Sequence, residues 1–419
     1  MTWETAAVAA IIAGAIGRFI WVLALHQPFD YVFSDMAGYV GRAQELVDTG
    51  SLRRYDAFYP PGVHLLLAGV FRIFGTGQSG LWAAAALWAA LSAAAPFFMW
   101  RLARLLLTRP AAALAAVFTA LWPLHATSAG YFLSETPSLT FLLAGLWAGY
   151  ASLVATGRRA ALLAGGAGLL GGIAVTMRPQ FVLNLGILAA SWLLASPRRR
   201  RAFAAFASAF ALVIGGAIAH NSAAAGQLTG ISENSGLTFF LGQCDVNTVY
   251  VEGAHFTTPP DYQKNRGRLY EFPDRRVWDQ GFFFRQGLDC IRQDGLSHLG
   301  LISRSVFDLT ATTVIWPQTK EPKLRDVVNV GNIAYVVLLP AIVLWAIVIG
   351  RGRRRRGEKQ GELILLLHLA TVLLTAVVFF GDPRFRMPYD FFGLALLAAV
   401  ISDAFIERGR PSPVDSPAV

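Results

Sequence analysis

Charged residues are scarce in this 419-residue sequence, at only 15% of the chain, whereas 55% of residues are hydrophobic. Soluble domains average about 25% charged residues, so the composition argues against an ordinary soluble protein and indicates an integral membrane protein. A net charge of +10 would suggest nucleic-acid binding in a soluble chain. Here the arginines form short clusters between apolar runs, as the positive-inside rule expects of cytoplasmic loops. We therefore expect membrane lipids, and no nucleic acid, as partners.

Cysteine is equally scarce. The two cysteines, Cys244 and Cys290, lack the spacing and additional ligands that a structural zinc site needs. Both fall in one polar segment, where a disulfide and two free thiols are equally compatible with the sequence. No basic residue precedes the first apolar run, because Glu4 is the only charged residue before it. We expect this run to be a retained helix and not a cleaved signal peptide.

A helix needs about 20 apolar residues to cross a bilayer. Ten segments approach that requirement: 5–25, 80–101, 110–128, 136–156, 160–177, 180–195, 203–220, 327–349, 362–380 and 389–406. With the arginine clusters in the cytoplasm, an even number of spans places both termini there as well. The sequence thus predicts an all-α polytopic membrane protein with about ten transmembrane helices.

The segments between these spans predict the domain organisation. We expect a transmembrane core at 1–220, an extracytoplasmic loop domain at 221–326, C-terminal transmembrane helices at 327–409 and a disordered tail at 410–419. Within the core, residues 26–79 form a first outer loop, whose run 60–75 is predicted to be a short helix on the membrane surface. Apolar spacings of three and four over 282–309 predict a further amphipathic helix.

With this topology, six charged residues from distant parts of the chain meet at the outer face. They are Asp35, Glu135, Arg178, Asp382, Arg384 and Arg386. Charges near membrane depth are costly and are retained mostly for pairing or function. Acids and arginines on one face therefore indicate a site that binds an anion and contains a base.

Structural roles are also open for these residues. Asp35 could cap the helix that follows it, and Glu135 could complement the dipole of its own helix. The arginines could anchor turns at the lipid headgroups, although Arg384 and Arg386 could instead point together at one phosphate. His64 and His125 have the character of packed polar side chains. Arg18, inside the first span, is expected to extend outward or to pair with an acid.

Five quoted stretches carry a family resemblance. "SDMAGYVGRAQEL", "FYPPGVHLLLAGVFRIFG", "YFLSETPSLTFLLAGLWA", "GGIAVTMRPQF" and "DPRFRMPYDFF" resemble, in order and placement, the GT-C superfamily of membrane glycosyltransferases. The likeness is greatest to its branch of protein mannosyltransferases and the lipid A aminoarabinose transferase, over about residues 5–220 and 327–406. It implies a GT-C-like helical bundle, a polyprenyl-phosphate-sugar donor, and a glycan, lipid or protein acceptor on the extracytoplasmic face.

The resemblance also implies roles for individual residues. Asp35 matches the catalytic base, Glu135 is the second catalytic acid, and Arg178, Arg384 and Arg386 are candidates for binding the donor phosphate. Candidates of second rank for substrate binding are Tyr39, Tyr59, His64, Arg72 and Asp382. A single base without a carboxylate nucleophile implies inversion at the anomeric carbon.

Two further expectations complete this interpretation. Many relatives carry a second acid directly after the first-loop aspartate, whereas this sequence has Met36 there, so we expect neither a metal nor another cofactor. The abundance of alanine and arginine favours a bacterial plasma membrane. The alternative function is a transporter or flippase for a lipid-linked glycan. That alternative predicts repeated halves and polar residues in mid-helix, and the sequence displays neither.

Overall fold

The computed structural model describes residues 2–195, 200–257, 267–311, 322–355 and 360–407; the tail predicted at 410–419 lies outside them. Helices dominate these ranges, and a single small sheet accompanies them. The helices are α1 (Trp3–Ile20), α2 (Asp35–Thr49), α3 (Gly62–Phe74), α4 (Gln78–Leu106), α5 (Arg109–Ala120), α6 (Pro123–Ser128), α7 (Glu135–Val154), α8 (Gly157–Met177), α9 (Val182–Ala195), α10 (Arg200–Ala225), α11 (Ser235–Gln243), α12 (Gln280–Asp294), α13 (His298–Asp308), α14 (Pro322–Arg355), α15 (Gly361–Val378), α16 (Pro383–Arg386) and α17 (Asp390–Ser402).

Eight helical segments within the described ranges are long and apolar enough to cross a bilayer. They are Trp3–Leu25, Gln78–Leu106, Glu135–Val154, Gly157–Met177, Arg200–Ala225, Asp326–Gly352, Gly361–Val378 and Pro383–Phe405. The prediction of an all-α, multi-pass membrane protein is therefore confirmed. Two of the ten predicted spans are shorter in the structure. One is the apolar helix Pro179–Leu194, and the other, predicted at 110–128, is interrupted.

Arg18 explains the interruption. Helix α5 ends at Ala120 and α6 begins at Pro123, whose nitrogen has no hydrogen to continue the backbone ladder. The Arg18 guanidinium donates to the carbonyls of Ala120 and Thr119, while its Nε donates to Ser92 Oγ at 3.0 Å. Backbone groups in a membrane must be satisfied within the protein. Arg18, only 2% exposed, therefore neither extends outward nor pairs with an acid, because it caps the broken helix.

The segment after α10 has a small core of its own. Strand β1 (Val246–Val251) lies between β2 (Ala254–Thr257), which is antiparallel to it, and β3 (Arg268–Phe272), which is parallel. Buried side chains from β1, α11 and α12 pack together beside the sheet. Gln243, at the end of α11, donates to the carbonyls of Val377 and Val378 at 2.9 and 2.8 Å. These two hydrogen bonds attach the segment after α10 to the last turn of α15.

The amphipathic helix predicted over 282–309 is two helices. The chain bends between α12 and α13 at Gly295, whose φ is +54°. Residues with a side chain rarely adopt this conformation, whereas glycine does so readily. The spacing of three and four recurs on both sides of the bend, which is why periodicity alone predicted one helix, although Ile291 and Leu296 across the bend are five apart.

Cys244 and Cys290 form a disulfide that joins α12 to the residue after α11, with their Cα atoms 5.5 Å apart. We expect replacement of both cysteines by serine to lower the unfolding free energy by about 2–4 kcal/mol, because the bridge closes a long loop in the unfolded chain. Maleimide labelling of the denatured protein tests the bridge: the native chain should label only after reduction, and the control Cys244→Ser should label once without it. Labelling of both cysteines in the unreduced native chain would contradict the pairing.

Candidate active site

Asp35 lies at the start of α2, where segments from three other parts of the chain converge. Its Oδ1 accepts a hydrogen bond from the Tyr59 hydroxyl at 2.9 Å, and its Oδ2 pairs with Arg384 Nη1 at 3.1 Å. The side chain remains 23% exposed. Both contacts come from side chains outside α2, so the carboxylate is not used as a cap for that helix. Asp35 is therefore a positioned and accessible acid.

The backbone before Asp35 is strained. Ser34 has φ +50° and ψ −129°, and it has the one positive φ outside glycine in the described part of the chain. Such conformations cost of order 1–3 kcal/mol and persist only where the surrounding structure holds them. Ser34 also makes no side-chain cap to α2. The strain turns the chain sharply and directs Asp35 toward Tyr59 and Arg384.

Glu135 is the first residue of α7 and is completely buried. Its Oε1 pairs with Arg178 Nη1 at 2.7 Å and also accepts from Arg384 Nε. Ser134 Oγ lies 3.3 Å from both Arg178 Nη1 and Glu135 Oε2. Two guanidinium groups compensate the cost of burying this carboxylate. Glu135 thus holds the arginines in place and, unlike Asp35, is closed to solvent.

Asp382 supports the same cluster from the backbone side. Its carboxylate accepts from the backbone N–H of Arg384 at 2.6 Å and so caps the short helix α16. Burial raises the pKa of Asp382 above its ordinary value. The residue therefore fixes the position of the Arg384 main chain rather than facing the open part of the site.

Arg386 does not join Arg384, contrary to the expectation that both point at one phosphate. Its Nε pairs with Asp390 at 2.9 Å, its Nη1 donates to the Leu309 carbonyl at 2.7 Å and its Nη2 donates to Asn332. The expectation treated "PRFR" as an extended stretch, whereas it forms a helical turn, in which residues two apart point in opposite directions. Arg386 is 2% exposed and ties α16 to α14 and α17.

The candidates of second rank divide between the site and its surroundings. Tyr59 contacts Asp35 directly, and burial together with that carboxylate raises its pKa, so its hydroxyl acts as the donor. Tyr39 packs against the Tyr59 ring, with centroids 5.6 Å apart. His64 is buried, and its Nε2 lies 3.2 Å from His220 Nε2. Arg72 is exposed in the last turn of α3, away from the end of that helix where His64 lies.

His64 carries no charge near neutral pH. Burial, the Arg42 charge and His220 together lower its pKa to about 3. Arg42 itself is a site residue that the sequence analysis did not identify. It lies on α2 seven residues after Asp35, a spacing that places both on one face of the helix. This spacing, with Tyr39 between them, was the available signal.

The Arg42 guanidinium is enclosed by aromatic rings. Its Cζ lies 4.6, 5.5 and 5.7 Å from the ring centroids of Tyr59, Tyr55 and Tyr39. Nη1 donates weakly to the Tyr55 carbonyl at 3.4 Å, while Nε and Nη2 are buried without a hydrogen-bond partner. No acid forms an ion pair with Arg42 among the described residues. Unpaired buried donors on a cation are costly unless they bind a ligand.

The charges of the cluster can be counted on this basis. Asp35 and Glu135 form ion pairs with Arg178 and Arg384, and the third carboxylate, Asp382, accepts from the Arg384 backbone, whereas Arg42 has no ion pair among the described residues. Tyr59 connects the two parts, because its hydroxyl binds Asp35 and its ring lies against Arg42. The site therefore contains an accessible carboxylate, Asp35, and a cation, Arg42, which lies on the other side of the Tyr59 side chain. Two nitrogen donors of Arg42 have no hydrogen-bond partner.

Comparisons with known proteins agree with this architecture. Residues 59–220 match the family model for dolichyl-phosphate-mannose-protein mannosyltransferases. The crystal structure of the Archaeoglobus fulgidus oligosaccharyltransferase in its apo form superposes with a TM-score of 0.52 at 12% identity, over 95% of this chain and 50% of that one. The chain therefore shares the fold of this oligosaccharyltransferase, in agreement with the resemblance to the GT-C superfamily.

Two further solved structures are similar to this chain. AglB from the same archaeon, in complex with an inhibitory peptide and a dolichol-phosphate, gives a TM-score of 0.51 at 14% identity, over 95% of this chain and 50% of that one. ArnT from Cupriavidus metallidurans, bound to undecaprenyl phosphate, gives 0.43 at 15% identity, over 94% and 77%. The chain spans about half the length of the archaeal structures, and no curated protein sequence matches it.

The ion-pair geometry predicts different outcomes for the two acids. We expect Glu135→Gln to lower the unfolding free energy by about 3–5 kcal/mol, because it leaves two buried guanidinium groups without their shared carboxylate. Asp35→Asn, at a partly exposed pair, should cost about 1 kcal/mol or less. Chemical unfolding in mixed micelles measures both. Equal destabilisation by the two substitutions would show that Glu135 does not hold the arginines in place.

Proposed function

We propose that the protein is an inverting glycosyltransferase that moves a sugar from a polyprenyl-phosphate-linked donor to an acceptor hydroxyl on the extracytoplasmic side of a bacterial plasma membrane. The observation that carries this proposal is Asp35, an accessible carboxylate aimed by Tyr59 and Arg384 at the mouth of a GT-C fold. The structural likeness to AglB in complex with a dolichol-phosphate supports a lipid-phosphate donor. No metal or other cofactor enters the proposed reaction.

Asp35 acts as the general base. The acceptor hydroxyl attacks the anomeric carbon, the bond from that carbon to the phosphate oxygen breaks, and the hydroxyl proton passes to Asp35. A carboxylate has about four lone-pair positions, so contacts with Tyr59 and Arg384 still leave room for the acceptor. Arg384 also keeps the carboxylate oriented during attack. In this mechanism Asp35 acts as the base and no enzyme carboxylate attacks the sugar, so the sugar changes configuration in a single displacement.

Arg42 binds the departing phosphate. Its Nε and Nη2 are unoccupied donors, and the guanidinium fork matches phosphate oxygens. Arg178 and Arg384 are already paired with acids, so they contribute to the field of the site more than to the anion directly. Tyr59 lies between Arg42 and Asp35, so the phosphate ligand and the base are on either side of one tyrosine side chain.

The placement on the extracytoplasmic side rests on two observations. Helix α7 begins at Glu135 in the site and ends at Val154, just before the described cluster of Arg158 and Arg159. Arginine-rich loops are cytoplasmic by the positive-inside rule, so the site faces the other side. The disulfide lies at the site end as well, and disulfides persist in oxidising compartments. Residues 221–326 then form the extracytoplasmic loop domain.

We expect Asp35→Asn to reduce sugar transfer by at least about 100-fold, because the amide cannot take the proton of the acceptor. Transfer is measured in membranes with radiolabelled polyprenyl-phosphate sugars, following label into lipid, polymer and protein fractions. The matched control is Asp30→Asn, an exposed aspartate in the same outer loop, which should leave transfer unchanged. If Asp35→Asn transferred sugar as fast as the wild type, Asp35 could not be the general base. If the wild type moves the lipid-linked sugar across the membrane but transfers none of it to an acceptor, the result would favour the alternative function of a flippase.

Binding of the lipid phosphate tests Arg42 without any turnover. We expect Arg42→Gln to weaken the binding of polyprenyl phosphate about 10- to 100-fold, the value of one or two lost hydrogen bonds to a charged group. Fluorescence titration or thermal shift in detergent measures the affinity. Arg53→Gln is the matched control, since Arg53 lies in the same loop and its side chain is 72% exposed. An affinity unchanged in Arg42→Gln would exclude Arg42 as the phosphate ligand.

A further inference from the structure

A second concave site lies beside the candidate active site. It is a cavity of about 690 Å³ between the first outer loop, the residues after α10 and the beginning of α12. Its size falls within the range of about 300–1,000 Å³ that is usual for small-molecule sites. The lining includes Arg54, Thr229, Glu233, Trp278 and Arg285. Strands β1 to β3 contribute no residue to the lining.

Glu233 is the residue of this cavity that lacks a full set of partners. It is 1% exposed, and its Oε1 lies 3.5 Å from Arg54 Nη2. Its other oxygen, Oε2, is buried with no hydrogen-bond partner. A buried, unpartnered carboxylate oxygen costs free energy unless a ligand donates to it. The Nε of Arg54 is likewise buried and unpartnered.

Aromatic rings hold the arginines of the cavity in place. Arg54 Cζ lies 5.3 Å from the Trp278 ring centroid, and Arg275 Cζ lies 4.7 Å from that of Phe282. The lining thus combines guanidinium donors, the two carboxylates of Glu233 and Asp279, and an indole ring. Sugar hydroxyls both donate and accept hydrogen bonds, so a hydroxyl-rich ligand satisfies such a mixed set. No strand edge lines the cavity, so a peptide could not bind there by adding a strand to the sheet.

A short stretch of backbone connects the cavity to Asp35, the proposed general base. The backbone N–H of Glu233 donates to the Ala57 carbonyl at 2.7 Å, and Tyr59, two residues later, donates to Asp35. The cavity and the candidate base are thus joined through the three residues from Ala57 to Tyr59.

From this arrangement we infer that the Arg54, Glu233 and Trp278 cavity binds the acceptor, and that the acceptor is a glycan whose hydroxyl donates to Glu233 Oε2. The inference rests on the proposed function and narrows its acceptor to a carbohydrate. The terminal sugar occupies the approach to Asp35, while the preceding sugar lies against Trp278. Arg54 and Arg285 donate to its remaining oxygens.

The test uses the full-length chain in lipid nanodiscs. The probes are methyl glycosides of hexoses, pentoses and hexuronic acids, followed by saturation-transfer-difference NMR, and the variants are Glu233→Gln and Trp278→Ala. At least one glycoside should bind the wild type, and each variant should bind it about tenfold more weakly. Glu233→Gln loses a hydrogen bond to a charged group, and Trp278→Ala loses the ring against which the sugar lies. The matched control Asp289→Asn, an exposed carboxylate on α12 outside the cavity, should bind as the wild type does.

Binding of polyprenyl phosphate, measured on the same samples, separates this inference from the proposed function. We expect both cavity variants to bind the lipid as tightly as the wild type, which also reports that they are folded. If the wild type binds the lipid but no glycoside, or binds glycosides equally well in both variants, the cavity is not the acceptor site. If serine- or threonine-containing peptides displace the glycoside, the glycan assignment is overturned. Failure of the wild type to bind the lipid would instead refute the donor of the proposed function.

Discussion

Arg384 holds the candidate site together. It pairs with Asp35 through Nη1 and with Glu135 through Nε, and its own backbone N–H is held by Asp382. These acids come from the first outer loop, the start of α7 and the turn before α16, so one guanidinium joins segments that are far apart in sequence. Buried ion pairs are expensive unless their geometry is complete. Helices α7 and α16 must therefore pack together for Arg384 to be paired with Glu135. Only then is Arg384 placed to form the ion pair that orients Asp35.

A consequence of this pairing is that the arginines closest to Asp35 are not free to neutralise a ligand. Arg178 and Arg384 are paired with Glu135 and Asp35. Arg42 has no such ion pair, and three tyrosine rings rather than an acid reduce the cost of burying it. Cation–π contacts stabilise a charge without consuming its hydrogen-bond donors. An anion can thus bind Arg42 without first displacing a carboxylate.

Sequence patterns predicted those features that depend on position along the chain. Asp35, Glu135, Arg178 and Arg384 were found because each lies at the end of an apolar segment, and ends on one side of a membrane meet. The direction in which a side chain points was harder to predict from the sequence. Arg386 was misplaced because a helical turn was taken as extended, and Arg42 was missed because its tyrosine partners lie partly outside α2. The break after α5 was also invisible, because Arg18 reaches it from another helix.

The segment Arg54–Tyr59 contacts both the cavity beside Glu233 and the candidate site around Asp35. Its side chains and backbone carbonyls reach residues of one or the other in turn. Arg54 faces Glu233 and Trp278, the Tyr55 ring and carbonyl face Arg42, and the Ala57 carbonyl accepts from Glu233. Phe58 is buried in the core beside the sheet, and Tyr59 reaches Asp35. One stretch of six residues therefore contributes both to the lining of the cavity and to the orientation of Asp35. If the acceptor binds in the cavity, as inferred above, the same stretch that contacts the acceptor also orients the base, and such positioning of reacting groups lowers the entropic part of a reaction barrier.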